Sequence, residues 1–139
     1  MNAKAIDLGF KSFRFNNESG LDVTEMENGA YGNGRDMAKL FAYATDTYPE
    51  IFSSTSTKIA TLSSLDKTHN IDNTNTVVED IPGIEASKTG FTTISGGNLV
   101  VATTNEAGEK RIIVIMGSTY DERFTDMKTL TGAVVQSVR

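Results

Sequence analysis

An α+β fold is predicted by three features of the sequence. Helical periodicity is confined to the first half and to the stretch after Thr119, β-branched residues crowd between Ile84 and Met116, and a turn-rich pentapeptide folds that β run back on itself. The expected architecture is an antiparallel sheet meander with flanking helices. At 139 residues the chain is at most one domain.

Taken in order, residues 1–9 read as a short helix ended by Gly9, a residue suited to a left-handed C-cap. Phe13 and Phe15 then alternate with polar residues ahead of a turn-rich segment through Gly20-Leu21-Asp22. Residues 28–34, with three Gly and two Asn, read as a loop. A second helix follows, capped by Asn33 or Gly34, with Asp36 in its first turn and Met37, Leu40, Phe41 and Ala44 on one face. Pro49 marks its end, or a break before Ile51-Phe52. Residues 57–62 read as a strand, and the polar stretch from Ser63 to about Asn75 as a loop.

The second half is more regular. Residues 84–92, 98–104 and 110–116 are three β-rich runs, the last two joined as a hairpin through Asn105-Glu106-Ala107-Gly108-Glu109. Thr119 and Glu122 have the spacing of a capping box. They open a final helix with Tyr120, Phe124, Met127, Leu130 and Val134 as its apolar positions.

Composition excludes several function classes. The net charge of −5 argues against a nucleic-acid backbone or an anionic membrane surface as partner. No cysteine is present, which removes disulfides, thiolate metal sites and cysteine nucleophiles. The lone His69 sits in a polar stretch and has no ligand spacing around it, so no metal is expected. No apolar run approaches the ~20 residues needed to span a bilayer. Met1 is followed by Asn-Ala-Lys-Ala, which has no signal-peptide pattern.

Lys88-Thr89-Gly90 is the triplet that carries chemistry. Alone it reads as an edge-strand lysine facing solvent. Its place in a β run before a hairpin, the tight Gly96-Gly97-Asn98-Leu99 that follows, and a returning helix bearing Arg123 raise a functional reading. On sequence alone Arg123 reads equally as one half of a surface ion pair with Asp121, Glu122 or Asp126. Tyr31, with the 28–34 loop, reads either as the border of a cleft or, preferentially, as a packing residue, and Arg35 with Asp36 reads as a cap and a salt bridge.

A Lys-Thr-Gly strand is one of three motifs of penicillin-binding proteins and serine β-lactamases, the others being Ser-x-x-Lys and Ser-x-Asn. The chain resembles the serine-type D-Ala-D-Ala carboxypeptidases, the low-molecular-mass penicillin-binding proteins, along essentially its whole length. The resemblance is carried by Met1-Asn2-Ala3-Lys4-Ala5 with Leu8-Gly9, Phe15-Asn16 with Gly20-Leu21-Asp22, and Tyr31 with Arg35-Asp36-Met37-Ala38. Asn73-Thr74-Asn75, the triplet, Gly97-Asn98-Leu99-Val100-Val101, the run from Arg111 to Gly117, and Arg123 continue it. Phe91 stands where the family often has Tyr or His, Thr93 where Asp is frequent, and Ser95 in place of a common Ala.

The resemblance implies the C-terminal part of a β-lactamase/transpeptidase-like fold. Residues 1–139 would be a partial catalytic domain lacking the nucleophile and the Ser-x-Asn motif, and inactive alone. The parent would be a serine peptidase, exposed outside the cytoplasm. It would trim peptidoglycan stem peptides through an acyl-serine intermediate, be acylated by β-lactams, and need no cofactor. A serine β-lactamase fragment, or a non-catalytic peptidoglycan-binding or assembly module of the same fold, are the alternatives. Motif-matched residues take roles accordingly. Lys88 supplies positive potential and helps move protons, and Thr89 offers its hydroxyl to the substrate carboxylate. Gly90 leaves the strand face open, the Phe91 N–H is an oxyanion donor, and Arg123 steers the terminal carboxylate.

One string, Ser64-Leu65-Asp66-Lys67, matches Ser-x-x-Lys. It is rejected, because a nucleophile of this type belongs at the start of a buried helix, and the residues around Ser64 are polar without apolar periodicity. A half-domain also leaves a sheet edge and an apolar face open, so self-association or strand exchange is expected.

Overall fold

A computed structural model describes residues 1–136. The α+β expectation holds. The centre is a three-stranded antiparallel sheet in the order β5–β6–β7, formed by Ile84–Thr92, Gly96–Thr104 and Lys110–Ser118. These are the three β runs of the sequence, and the 105–109 turn joins the last two.

Ahead of the sheet come α1 (Asn2–Asp7), β1 (Arg14–Phe15), β2 (Ala30–Tyr31), α2 (Gly34–Thr47), α3 (Pro49–Phe52), β3 (Ile59–Ser63) and β4 (Thr68–Asp72). Helix α4 (Glu122–Gln136) follows it. Helix α1 ends as its sequence predicts, with Gly9 at φ +76°. The Asn33 side chain caps α2 by accepting from the Asp36 N–H at 2.9 Å. At the start of α4 the Thr119 hydroxyl accepts from the Glu122 N–H at 3.0 Å.

Two expectations are corrected. Residues 28–34 are not all loop, since Ala30–Tyr31 pairs antiparallel with Arg14–Phe15. The stretch after Ser63 is not a loop either: Thr68–Asp72 pairs residue for residue with Ile59–Ser63. Polar strands with no buried face lack the alternation by which strands are recognised, and this hairpin has none. Pro49 does end α2, and also occupies the first turn of the short α3.

The sheet is covered on both faces. On one, Leu99, Val101, Ile113 and Ile115 pack with Phe124 and Met127 of α4 and with Ile81. On the other, Ala86, Val100 and Ala102 pack with Phe41 of α2 and with Phe52. Central strand β6 is the most deeply buried, with Val101 and Ala102 fully enclosed. Gly97 lets β6 approach the entrance to α4, because a Cβ there would lie 2.0 Å from the Thr119 carbonyl oxygen. Of the apolar positions expected on α4, Phe124 and Met127 are buried whereas Tyr120 and Leu130 are exposed.

Candidate active-site wall

Strand β5 places the triplet at an edge. Its inner side is laddered to β6, with Lys88 opposite Val100, Thr89 opposite Leu99 and Gly90 opposite Asn98. Side chains alternate across the sheet. Lys88 and Gly90 therefore share the α2 face with buried Ala86, while Thr89 and Phe91 share the α4 face. Lys88 and Gly90 are both exposed.

The outer side of β5 is closed only at its first half. The Ser87 N–H donates to the Thr55 hydroxyl at 3.0 Å and the Ser87 hydroxyl donates to the Thr55 carbonyl at 2.9 Å. Since the Ser87 N–H points outward, the two-residue period of the strand turns the N–H groups of Thr89 and Phe91 outward too. Beyond Ser87, then, the edge presents the outward N–H groups of Thr89 and Phe91 to an extended peptide.

The strand borders a cavity of about 380 Å³ lined by Lys88, Gly90 and Phe91 together with Phe13, Phe15 and Tyr31. Tyr31, for which packing was the preferred sequence reading and a cleft border the alternative, is 43% exposed at this rim. At Gly90 an added Cβ would meet nothing closer than the Asn98 Cβ at 3.9 Å, so the open face is a property of the missing side chain rather than of crowding. The Lys88 ammonium donates to the Thr89 carbonyl at 2.6 Å. It has no carboxylate within ion-pair distance among the described residues.

Two contacts were not legible in the sequence. The Thr74 and Thr89 hydroxyls lie 2.7 Å apart. Thr74 is held there by its neighbour Asn73, whose amide donates to the Thr55 and Thr57 carbonyls at 2.9 and 2.8 Å. The second is Tyr120, whose ring meets Phe91 edge-on at 5.1 Å. Asn73-Thr74-Asn75 was visible as a motif, but only the fold brings its central hydroxyl to the triplet.

Arg123 is 4% exposed. Its Nη1 donates to the Gly90 carbonyl at 2.8 Å, and its guanidinium lies 4.5 Å from the Tyr120 ring centroid and 4.7 Å from that of Phe124. Its Nε has no hydrogen-bond partner among the described residues. The surface ion pair with Asp121, Glu122 or Asp126 does not form. Asp126 accepts instead from Ser118, and Glu122 from Thr119.

Asp36 likewise departs from the expected salt bridge. Its carboxylate accepts from the Ser12 N–H at 2.9 Å and the Ser12 hydroxyl at 2.8 Å. These two donors hold its pKa below the usual carboxylate value. It ties the start of α2 to the segment carrying Phe13.

Ser64 and Lys67 close the turn between β3 and β4, where all residues from 61 to 72 are exposed. The Ser64 hydroxyl bonds to the Lys67 carbonyl at 3.2 Å and lies 3.1 Å from His69 Nε2. It is on no helix, so the buried helix start that a nucleophile of this type needs is not found there.

The fold is similar to that of solved penicillin-binding proteins. The chain is similar to penicillin-binding protein D2 of Listeria monocytogenes, solved in its cefotaxime-bound form, with a TM-score of 0.81 and 28% identity over 94% of this chain and 51% of that one. It is also similar to penicillin-binding protein 5 of Haemophilus influenzae, with a TM-score of 0.75 and 30% identity over 93% of this chain and 36% of that one. The D-alanyl-D-alanine endopeptidase of Escherichia coli K12 is 39% identical over 106 residues, which are 74% of this chain and 32% of that protein. Residues 1–119 match the D-alanyl-D-alanine carboxypeptidase family, and the chain belongs to it. It spans about half the length of these relatives or less.

Proposed function

We propose that residues 1–139 supply the Lys-Thr-Gly wall of an acyl-transfer site that acts on D-Ala-D-Ala termini of peptidoglycan stem peptides. The observation that carries this reading is the open outer edge of β5 beyond Ser87, with an unshielded Gly90 beside the Lys88 ammonium. An extended acyl-D-Ala-D-Ala tail would pair along that edge as an added strand. The serine that attacks the penultimate D-Ala carbonyl is not among these residues. In the reaction its Oγ forms the ester, the C–N bond to the terminal D-Ala breaks, and the leaving amine takes a proton. Water then hydrolyses the ester.

Within this reading the Lys88 charge stabilises developing anion and aids proton transfer, and Thr89, with Thr74 beside it, offers hydroxyls to the substrate carboxylate. The outward N–H of Phe91 meets the oxyanion, a donor worth about 3–4 kcal/mol of barrier. Arg123 adds positive potential toward the carboxylate from behind the strand. The activity belongs outside the cytoplasm, at the cell wall, where such peptides are found.

The test is a titration of ¹⁵N-labelled chain with a diacyl-Lys-D-Ala-D-Ala peptide. Amides of residues 88–91 are expected to shift, and Gly90→Ala, which the fold accommodates, to abolish the shifts. Unperturbed β5 amides at saturating peptide would overturn the reading. The chain alone is expected to take no label from a fluorescent penicillin, and labelling at Ser64 would reinstate that serine as the nucleophile.

We further propose that the chain self-associates. Strand β7 has no partner on its outer edge among the described residues, and Met116 on it is 46% exposed, close to Leu130 at 41%. Light scattering that reports a monodisperse monomer would remove this proposal.

A further inference from the structure

The buried guanidinium of Arg123 is unusual in having no carboxylate partner among the described residues. Burying a cation without one is costly. Besides the Tyr120 and Phe124 rings, the charge meets one hydrogen-bond acceptor among the described residues, the Gly90 carbonyl at 2.8 Å. That carbonyl belongs to the same peptide unit as the N–H of Phe91. The two groups of one planar trans peptide point in opposite directions. The Gly90 carbonyl faces β6 and Arg123, whereas the Phe91 N–H faces the open edge.

Two further contacts close a ring around this peptide. The guanidinium stacks on the Tyr120 ring at 4.5 Å, and the Tyr120 ring meets the Phe91 ring edge-on at 5.1 Å with an interplanar angle of 85°. The carbonyl end is thus held by Arg123, the Phe91 side chain by Tyr120, and the two holders by each other. A hydrogen bond from a cation to a peptide oxygen draws electrons toward that oxygen. It raises the donor strength of the N–H at the other end, by roughly 10–30% per bond in condensed-phase estimates.

We propose that Arg123 is a positioning residue that orients and polarises the Gly90–Phe91 peptide, making the Phe91 N–H a stronger and better-aimed oxyanion donor. It does so without touching substrate. This rests on the acyl-transfer reading for its purpose. The polarisation itself is a property of the free chain, so its test needs no substrate and fails independently of that reading.

The experiment is solution NMR on the chain. In the unsubstituted protein a trans-hydrogen-bond coupling between the Arg123 Nη and the Gly90 carbonyl carbon is expected, a measurement that depends on no variant folding. In Arg123→Met, which keeps the bulk against Tyr120 and Phe124, the Phe91 amide proton is expected to make the largest upfield move on β5 while the β6 and β7 amides hold their positions. In Arg123→Ala, added methylguanidinium at non-denaturing concentration is expected to return the Phe91 resonance toward its original position. A residue that only filled space would give no rescue by the cation. Absence of the coupling, or an unmoved Phe91 amide in Arg123→Met, overturns the proposal.

Discussion

The β5–β6–β7 sheet and the β3–β4 hairpin are both antiparallel, yet they are held by different forces. Val101, Ala102 and Met127 are completely enclosed between α4, the sheet and α2, whereas every residue of Thr68–Asp72 is exposed. The sheet is ordered by burial. The hairpin, with no buried face, depends on its own ladder and on a few side-chain clips at its base. The proposed chemistry follows this division. Lys88 and Gly90 sit on an edge whose inner side is fixed by the core, which gives a site the rigidity it needs. Ser64 and Lys67 have the letters of a nucleophile motif on the part of the molecule least able to position one.

The largest expected effect tests this contrast directly. Met127→Ala, at a fully buried position, should lower stability by about 2–5 kcal/mol. Leu62→Ala, at an exposed hairpin position, should stay within ~0.5 kcal/mol. Urea midpoints of the two variants decide it, and equal losses would mean that the hairpin is docked and buried in solution.

Asn73→Ala comes next. It removes the amide donor from the Thr55 and Thr57 carbonyls and the acceptor for the Asn75 N–H, at a cost of about 1–3 kcal/mol. Because Thr55 also closes the first half of the β5 edge, hydrogen exchange should quicken on β3 and β4 and at Ser87. The β6 and β7 amides should be unchanged. Uniform acceleration over all strands would show the hairpin and the sheet to be one cooperative unit.

Legibility in the sequence divides along the same line. Residues 84–118 carry β-branched residues because their strands are buried, and all three strands were readable with their turn. The capped ends of α2 and α4 were readable because Asn33, Thr119 and Glu122 act locally. Strand β4 was missed because nothing in Thr-His-Asn-Ile-Asp alternates toward a core. At the site, the triplet was visible as a motif and its edge position followed from the strand order. Contacts between distant segments were not visible. Neither Thr74 against Thr89 nor Arg123 against Gly90 has any local signature, and Arg123 was read equally well as a surface ion pair.

A third effect is confined to acid. Ser12 lowers the Asp36 pKa below the usual carboxylate value, so the native state binds this proton less readily than the unfolded chain does. The stabilisation is therefore complete above the unfolded carboxylate range and is lost as pH falls through the depressed native value. Asp36→Asn should flatten the acid limb of a plot of urea midpoint against pH while leaving its slope at neutral pH unchanged. An unchanged acid limb would assign that limb to other carboxylates and detach the Phe13 segment from α2 in energetic terms.

The smallest expected effect concerns the Lys58–Glu79 ion pair, which spans 3.0 Å from the foot of the hairpin to the turn before β5, with side chains 63% and 64% exposed. Two long, hydrated side chains must be ordered to make it, and water screens what they gain. A double-mutant cycle of Lys58→Ala and Glu79→Ala should therefore return a coupling of about 0.2–1 kcal/mol. That coupling should shrink further as salt shortens the screening length. If the coupling exceeds this range and persists in salt, the two charges are desolvated in solution. The foot of the hairpin would then be packed against the body, and the contrast between a buried sheet and a tethered hairpin would have to be redrawn at Lys58 rather than at Ser63.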